Sequence, residues 1–367
     1  MIFRQVKEKW EKRGVTQVSK MNISLFNKAY IAVVLAFILV IAAYDVSYSK
    51  TNADEEMTSS QEVNTQHGTG GSTDQTSGDN ATDDAEKKAE ARKAELAETI
   101  TTPVASNATT DEEASQMAEF STDYADDIQT YSVEDIATNV ATALEMDETA
   151  ALAQLLADLP KEVDVDSAQY QLVNKLNPLL TEPVMDFAYA SSGKPYNAAI
   201  TDAYTALIDG ATNAGYTLAT ISAHRTISYQ AQNVENGFQD YLAQGYSESE
   251  ARDLTNTYFA PAEASEHSTG LAFDWLGTEW TGIGGSLDEA YADQPSAQWL
   301  SENAQDYGFI LRYPQRKEQV TGYSFEPWHY RYVGIDAAQY IAQYEITLEE
   351  FLALVNYQTA LAEEDLA

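Results

Sequence analysis

The sequence predicts an α+β domain over residues 166–367, in which helices flank a small, mainly antiparallel sheet. Short strand patterns and helical patterns are mixed along this region, without the regular strand–helix–strand rhythm of a parallel sheet. No similarity recurs at a spacing of about 20–50 residues, which argues against a repeat protein. A single mixed domain therefore accounts best for the C-terminal half of the chain.

Apolar runs bounded by glycine, proline or asparagine predict the strands of this domain. Their ranges are 170–174, 216–222, 271–275, 309–313 and 328–333. Apolar residues spaced three and four positions apart predict helices. Their ranges are 197–215, 228–245, 247–257, 297–308, 336–344 and 348–357.

Residues 131–165, which precede the domain, predict a helical hairpin. Ser132 and Asp135 have the spacing of a capping box at a helix start, and apolar residues then recur four positions apart. A second helical pattern with leucines at 152, 155, 156 and 159 ends at Pro160. The sequence leaves open whether this hairpin packs on the main domain or stands alone.

The N-terminus has the pattern of a membrane signal anchor. Residues 1–28 hold seven Lys or Arg against two Glu, and an uninterrupted apolar run of 16 residues follows over 29–44. We expect 1–28 to be cytoplasmic, 29–48 to cross the membrane once, and the rest to be extracellular. A cleaved signal peptide, which would release a secreted protein, and a buried core helix are the alternatives.

Residues 49–130 predict a disordered acidic linker. From 51 to 130 the chain holds 19 Asp or Glu against four Lys or Arg, and much of the remainder is polar or glycine. Such a segment buries too little apolar surface to offset the entropy lost on ordering. Within it, 83–98 could form a solvated helix, and His67 is expected to be a solvated linker residue.

Composition excludes several classes of function. The chain has no cysteine, so disulfides, thiolate metal sites and cysteine nucleophiles are all excluded. With 58 acidic and 21 basic residues the net charge is −37, which argues against nucleic acid as a partner because phosphate binding needs clustered positive charge. Any metal ligand must therefore be an aspartate, a glutamate or one of the four histidines, which are His67, His224, His267 and His329.

Two short segments carry residues suited to metal chemistry. His267 and Asp274 lie in 265–275, and Glu326 and His329 lie in 326–331. Two imidazoles and one carboxylate from neighbouring strands would leave an open fourth position, as in catalytic zinc sites. Glu326 would then lie beside that position as a base. The sequence therefore predicts a Zn²⁺ site on the sheet, with His267, Asp274 and His329 as ligands.

The same segments resemble a known family. Ser-Glu-His-x-Thr-Gly-Leu-Ala-x-Asp at 265–274, followed by Tyr-Ser-x-Glu-Pro-Trp-His-x-Arg-Tyr-Val-Gly at 323–334, is similar to the VanY-type D-alanyl-D-alanine carboxypeptidases. These belong to the wider group of lysostaphin-like, D-Ala-D-Ala and hedgehog-type zinc folds. The resemblance extends over about residues 168–355, or half the chain.

The resemblance implies roles for further residues. It implies that His267, Asp274 and His329 bind zinc and that Glu326 is the general base and acid. Ser222-x-x-Arg225 looks like a family segment whose arginine holds the terminal carboxylate of the substrate. A planar guanidinium can grip a carboxylate through two parallel hydrogen bonds. Two further residues, Gln230 and Ser265, match positions that line the substrate site.

The sequence also departs from the family pattern. His224 stands where the family usually has tyrosine, and we expect it to be a wall residue of the pocket rather than a third metal-binding histidine. Ser268 replaces a usual glutamine, and the loop 260–264 lacks the usual Pro-Gly. These changes bear on substrate preference more than on the metal set. We expect Trp328 to pack in the core and Arg331 to be a structural partner.

The expected function is release of D-alanine from peptidoglycan stem peptides by a monomeric, membrane-anchored zinc carboxypeptidase. An L,D-carboxypeptidase or a peptidoglycan endopeptidase of the same fold is an alternative. A catalytically silent wall-binding module that keeps the metal for folding is another. The intact Glu326 and the open coordination position argue against the silent module.

Overall fold

The computed structural model describes residues 79–102 and 107–364. Four helices precede the first strand: α1 Asp79–Thr99, α2 Asp111–Thr122, α3 Val133–Ala143 and α4 Glu148–Asp158. The predicted basic segment 1–28, the predicted anchor 29–48, His67 and the first part of the predicted linker lie outside the described residues. Within the described ranges, no helix has both the length and the apolarity needed to cross a membrane.

The remaining elements form two antiparallel sheets with helices around them. The strands are β1 Phe187–Tyr189, β2 Pro195–Asn197, β3 Leu218–Ser222, β4 Ala272–Gly277, β5 Phe309–Leu311 and β6 His329–Tyr332. The helices are α5 Thr201–Asn213, α6 Ile227–Ala243, α7 Glu248–Tyr258, α8 Thr278–Thr281, α9 Pro295–Asn303, α10 Glu318–Thr321, α11 Ile335–Tyr344 and α12 Leu348–Glu364.

The larger sheet has four strands in the order β3-β4-β6-β5, and every neighbouring pair is antiparallel. Strands β4 and β6 lie at its centre, and their register places Asp274 opposite His329. The β1–β2 hairpin is a separate pair that the sequence analysis missed. The predicted α+β class with a mainly antiparallel sheet is confirmed.

Side-chain caps explain where several helices begin. Ser132 and Asp135 form the capping box predicted at the start of α3, and Ser247 with Glu250 forms a second one at α7. At α6, the Thr226 hydroxyl accepts a hydrogen bond from the Tyr229 amide at 3.1 Å. Each cap satisfies an amide that the first helical turn cannot pair, so these local sequences specify the helix starts.

The helical hairpin packs on the main domain. Helices α3 and α4 contact each other, and both contact α12. Val133, Ile136 and Leu155 are fully buried in one apolar cluster that also contains Phe351 and Leu354 of α12. The hairpin and the C-terminal helices therefore share a continuous core, which settles the alternative that the sequence left open.

Helix α1 confirms the helix predicted at 83–98 within the linker. The disorder predicted for the rest is wrong where α2 lies. The C-terminal end of α1 buries Leu96 and Ala97 in the core shared by α3 and α12. In α2, Met117 is buried and the Ser121 hydroxyl donates to the Leu176 carbonyl at 3.1 Å. A few apolar residues are sufficient here because the folded domain supplies the surface against which they pack.

The predicted strand at 170–174 is also wrong. A 3-10 turn at Ala168–Tyr170 precedes it, and Asn174 forms a tight local turn. The Asn174 side-chain oxygen accepts hydrogen bonds from the amides of Leu176 and Asn177, each at 3.0 Å. The backbones of Asn174 and Asn177 also bond to each other, so the segment closes on itself as a turn instead of pairing with a strand. Leu172 and Val173 are apolar because they are buried in the core.

Truncation of a buried leucine in the hairpin tests the shared core. Leu155 is fully buried, so we expect Leu155→Ala to lower the free energy of unfolding by about 2–5 kcal/mol in denaturant titrations. Gln154→Ala, an exposed neighbour, is the control and should change it by less than about 0.5 kcal/mol. A Leu155→Ala result as small as the control would contradict packing of the hairpin on the domain.

Candidate metal centre

Three side chains from two segments meet at the centre of the sheet. His267 lies in the 3-10 turn Glu266–Thr269 just before β4, Asp274 lies in β4, and His329 begins β6. One donor atom from each lies within 4.8 Å of the others, and all three residues are buried. His267 Nε2 lies 3.3 Å from Asp274 Oδ2, and His329 Nδ1 lies 3.2 Å from Asp274 Oδ1.

Gly270 allows His267 and Asp274 to meet. It ends the 3-10 turn with a φ of +67°, a conformation that glycine adopts without strain. A Cβ at this position would lie 2.7 Å from the Met185 sulfur and 2.9 Å from the Asn197 amide nitrogen. The glycine therefore permits both the sharp entry into β4 and the close approach of the β2 segment.

The orientation of His267 suits metal binding. Its Nδ1 lies 2.6 Å from the Ala223 carbonyl oxygen, so Nδ1 carries the proton and Nε2 presents its lone pair to the cluster. His267 Nε2 and Asp274 Oδ1 are buried, and neither has a hydrogen-bond partner among the described residues. Buried polar atoms without a partner are costly, and a cation between them would satisfy both. The donor set therefore fits a divalent metal held by nitrogen and oxygen.

Glu326 lies beside the donor set without being part of it. Its Oε2 is 3.6 Å from His329 Nδ1, and its side chain is 24% exposed. The turn from Glu326 to His329 is closed by a hydrogen bond from the His329 amide to the Glu326 carbonyl at 3.0 Å. Burial raises the pKa of the Glu326 carboxyl to about 7. A carboxyl with such a pKa can both accept and donate a proton near neutral pH.

Burial and neighbouring charges also shift the pKa values of the three donors. Burial and the nearby Arg225 lower the pKa of His267 to about 4. Burial opposes ionisation of Asp274, but interactions with His267 and His329 outweigh it and hold its pKa well below the usual range. Burial lowers the pKa of His329, but the nearby carboxylates of Asp274 and Glu266 outweigh it and raise the pKa to about 9. A neutral His267 and an ionised Asp274 are the forms that ligate metals, and metal binding would displace a proton from His329.

Arg225 lies at the edge of the donor set. Its amide donates to the His267 carbonyl at 3.1 Å, which joins the end of β3 to the 3-10 turn. Its Nη1 is 3.6 Å from Asp274 Oδ2, and its Nε is buried without a hydrogen-bond partner. The guanidinium therefore has a free donor next to the cluster.

The donor set opens into a cavity of about 600 Å³. This volume is in the usual range of small-molecule sites. Gln230 and Ser265 line it, and the Gln230 side-chain oxygen is buried without a partner among the described residues.

Two other predicted residues, Ser222 and His224, are not among the residues that line this cavity. Ser222 pairs with Asp274 in the sheet, and the His224 ring packs on Phe187 with their centroids 4.8 Å apart.

Two further predictions concern Trp328 and Arg331. Trp328 is half-buried and packs against the core cluster around Leu276, as we expected, and it also lines the cavity. Arg331 is fully buried and pairs with Glu266 at 2.9 Å, which confirms a structural role. The sequence analysis missed Glu266 and Tyr313, which both line the cavity. Glu266 directly precedes His267, and Tyr313 follows β5. These positions were the signals that could have identified them in the sequence.

A larger cavity of about 810 Å³ lies elsewhere, between α3, α9, α11 and the segment after β5. None of the residues of the donor set lines it, and neither does Glu326 or Arg225. Of the residues that line the two cavities, only Phe325 is common to both. The smaller cavity is therefore the candidate active site.

Two imidazoles, one aspartate, an adjacent carboxyl of raised pKa and an arginine in one cavity define a metal-dependent hydrolase centre. A family model described as VanY: D-alanyl-D-alanine carboxypeptidase matches residues 194–335. A D-alanyl-D-alanine carboxypeptidase of Enterococcus faecalis is 34% identical over 197 residues, which is 54% of this chain and 70% of that protein. The chain belongs to the VanY family of D-alanyl-D-alanine carboxypeptidases.

Solved structures are also similar to this chain. A D,D-pentapeptidase VanY variant in complex with Zn(II) is 33% identical, with a TM-score of 0.45, and the match covers 51% of this chain and 99% of that one. An L,D-carboxypeptidase DacB from Streptococcus pneumoniae is 33% identical, with a TM-score of 0.38, and the match covers 49% of this chain and 84% of that one.

Proposed function

We propose that this protein is a zinc-dependent carboxypeptidase that releases the C-terminal D-alanine from peptidoglycan stem peptides. The observation that carries the proposal is the convergence of His267, Asp274 and His329 within 4.8 Å in a cavity that also holds Glu326 and Arg225. The family named by the E. faecalis relative and by the matching model supports the substrate class.

The donor set favours zinc over other divalent metals. Two imidazole nitrogens and one carboxylate oxygen are a common protein ligand set of catalytic zinc, whereas calcium and magnesium prefer oxygen ligands alone. His267 would bind through Nε2 and His329 through Nδ1. Zinc, when bound, lowers the pKa of a coordinated water and polarises a carbonyl group.

The protein's own residues would bind the substrate and move the protons. Glu326 accepts a proton from a water in the cavity and returns it to the leaving amine of D-alanine. Arg225, whose side chain is partly exposed and lines the cavity, holds the free carboxylate of the substrate through its guanidinium group. Because that contact requires a chain end, it would restrict cleavage to the terminal peptide bond. Gln230 and Ser265 would line the path of the peptide.

Peptides that end in D-Ala-D-Ala, as the free acid and as the C-terminal amide, test this function on the full chain. We expect D-alanine release from the acid, with loss after chelation and recovery with Zn²⁺. Arg225→Gln should raise KM for the acid about 10- to 100-fold, because a hydrogen bond to a charged group contributes about 1.5–3 kcal/mol. Chromatography of the released D-alanine measures the rate of release and gives KM for the natural chain and for the variant.

Arg252→Gln is the matched control, because Arg252 is an exposed arginine paired with Glu248 and does not line the cavity. It should leave KM unchanged. Equal hydrolysis of the acid and the amide would contradict the role of Arg225. Mass analysis of digested muropeptides separates terminal D,D cleavage from L,D cleavage and from endopeptidase activity, and failure of the zinc-loaded chain to release D-alanine would refute the proposal.

We also propose that the protein is held at the cell membrane by a single span over 29–48, with the catalytic domain outside. The seven basic residues in 1–28 and the apolar run at 29–44 support this location. A peptidoglycan substrate outside the membrane requires the same orientation.

A further inference from the structure

A buried cluster of four charged side chains lies directly behind His329. Glu266, Arg312, Arg331 and Glu349 are all almost completely buried. Glu266 Oε1 accepts from Arg312 Nε at 2.8 Å and from Arg331 Nη1 at 2.9 Å. Arg312 also donates to both oxygens of Glu349, at 2.7 and 2.9 Å. Two carboxylates thus balance two guanidinium groups.

One carboxylate oxygen of Glu266 makes no hydrogen bond within this cluster. Both arginines donate to Oε1, and Oε2 has no hydrogen-bond partner in the part of the chain that the structure describes. His329 Nε2 is likewise buried without a partner, and the two atoms lie 3.5 Å apart. Each is therefore the available partner of the other, since an unpaired buried polar atom is costly.

We propose that Glu266 is a positioning residue that sets the tautomer of His329 for metal binding. This inference rests on the zinc site proposed above. A carboxylate can only accept, so Glu266 requires the proton of the imidazole to lie on Nε2. The lone pair then lies on Nδ1, which faces Asp274 and Glu326. The carboxylate also increases the basicity of the ligating nitrogen.

The two arginines determine how a glutamine at position 266 would be oriented towards His329. Arg312 and Arg331 are donors only, so a glutamine at 266 must turn its carbonyl oxygen towards them. Its amide group then points at His329 Nε2 and donates to it. That contact favours the opposite tautomer, in which Nδ1 carries the proton and cannot bind a metal. Glu266→Gln therefore preserves the shape of the cluster and reverses the polarity at His329.

Glu349→Gln is the matched control, because it removes the same charge from the same cluster. Glu349 contacts Arg312 and Asn174, and no hydrogen bond or ion pair joins it to His329 in the described part of the chain. A purely structural role of the cluster would make the two variants behave alike. A positioning role of Glu266 would make only the Glu266→Gln variant lose zinc affinity.

The experiment measures Zn²⁺ affinity of the full chain by competition with a chromophoric chelator. We expect Glu266→Gln to weaken zinc binding by about 10- to 100-fold, and Glu349→Gln to leave it unchanged. Equal affinities for the two variants would overturn the proposal. If the natural chain itself binds no zinc, the proposed function fails first, which distinguishes the two failures.

A second measurement decides the question if either variant does not fold. Long-range ¹H–¹⁵N NMR of the natural chain loaded with Zn²⁺ reports the tautomer of each imidazole, and the chain has only four histidines. We expect His329 to be protonated at Nε2 and His267 at Nδ1. A His329 protonated at Nδ1 and bound through Nε2 would overturn the proposal.

Discussion

Glu326→Gln is expected to bind zinc as tightly as the natural protein and to release D-alanine about 10²- to 10⁴-fold more slowly. The glutamine keeps the size of the side chain but cannot accept a proton from water. Glu326 is not part of the donor set, whose atoms belong to His267, Asp274 and His329. The loss should therefore fall on kcat and leave the metal content unchanged.

Glu289→Gln is the control for this substitution. Glu289 lines the same cavity and is exposed, so its replacement removes an equal charge without touching the donor set. It should retain full turnover. Metal analysis and steady-state kinetics on the same preparations check both results. A Glu326→Gln protein that keeps its zinc and its natural kcat would exclude Glu326 as the general base.

Asp274→Asn is expected to abolish zinc binding at ordinary metal concentrations and, with it, all carboxypeptidase activity. Asparagine preserves the volume but removes the negative charge that two neutral imidazoles need to hold a cation. Replacing a group behind a ligand already costs about 10- to 100-fold in affinity, so loss of a ligand should cost more than about 100-fold. Chelator competition measures the affinity, and D-alanine release measures the activity.

Asp288→Asn serves as the matched control. Asp288 lines the cavity, and its Oδ1 accepts a hydrogen bond from the Ala290 amide at 2.9 Å, which asparagine can also do. Its metal content and activity should stay at natural levels. Retention of stoichiometric zinc by Asp274→Asn would show that the metal is held elsewhere and would remove the basis of the proposed mechanism.

Much of the secondary structure could be predicted because its signals are local. Apolar spacing predicted α5, α6 and α7 to within a few residues, and the capping box at Ser132 and Asp135 predicted the start of α3. The strand at 170–174 and the disorder predicted where α2 lies were wrong for one shared reason. In both segments the apolar residues are buried by distant parts of the domain, which local composition does not describe.

Some residues of the candidate site could likewise be predicted from the sequence, and others could not. His267, Asp274, Glu326 and His329 could be selected from the sequence because the residue types suit one kind of chemistry, and β4 and β6 do place Asp274 opposite His329. Ser222 and His224 could not be placed from the sequence. Ser222 lies opposite Asp274 at the irregular end of β3, the His224 ring packs on Phe187, and neither residue lines the cavity. The side on which an edge residue faces depends on the strand register.

The family, the absence of cysteine chemistry, the metal-binding candidates and most of the helices and strands could all be inferred from the order of the amino acids. The core that the helical hairpin shares with α12, and the position of Glu266 between two arginines and His329, became visible in the folded structure. Spacing along the chain specifies local hydrogen bonding and residue chemistry. The partner of a buried charge, by contrast, is chosen by the packing of segments that are far apart in the sequence.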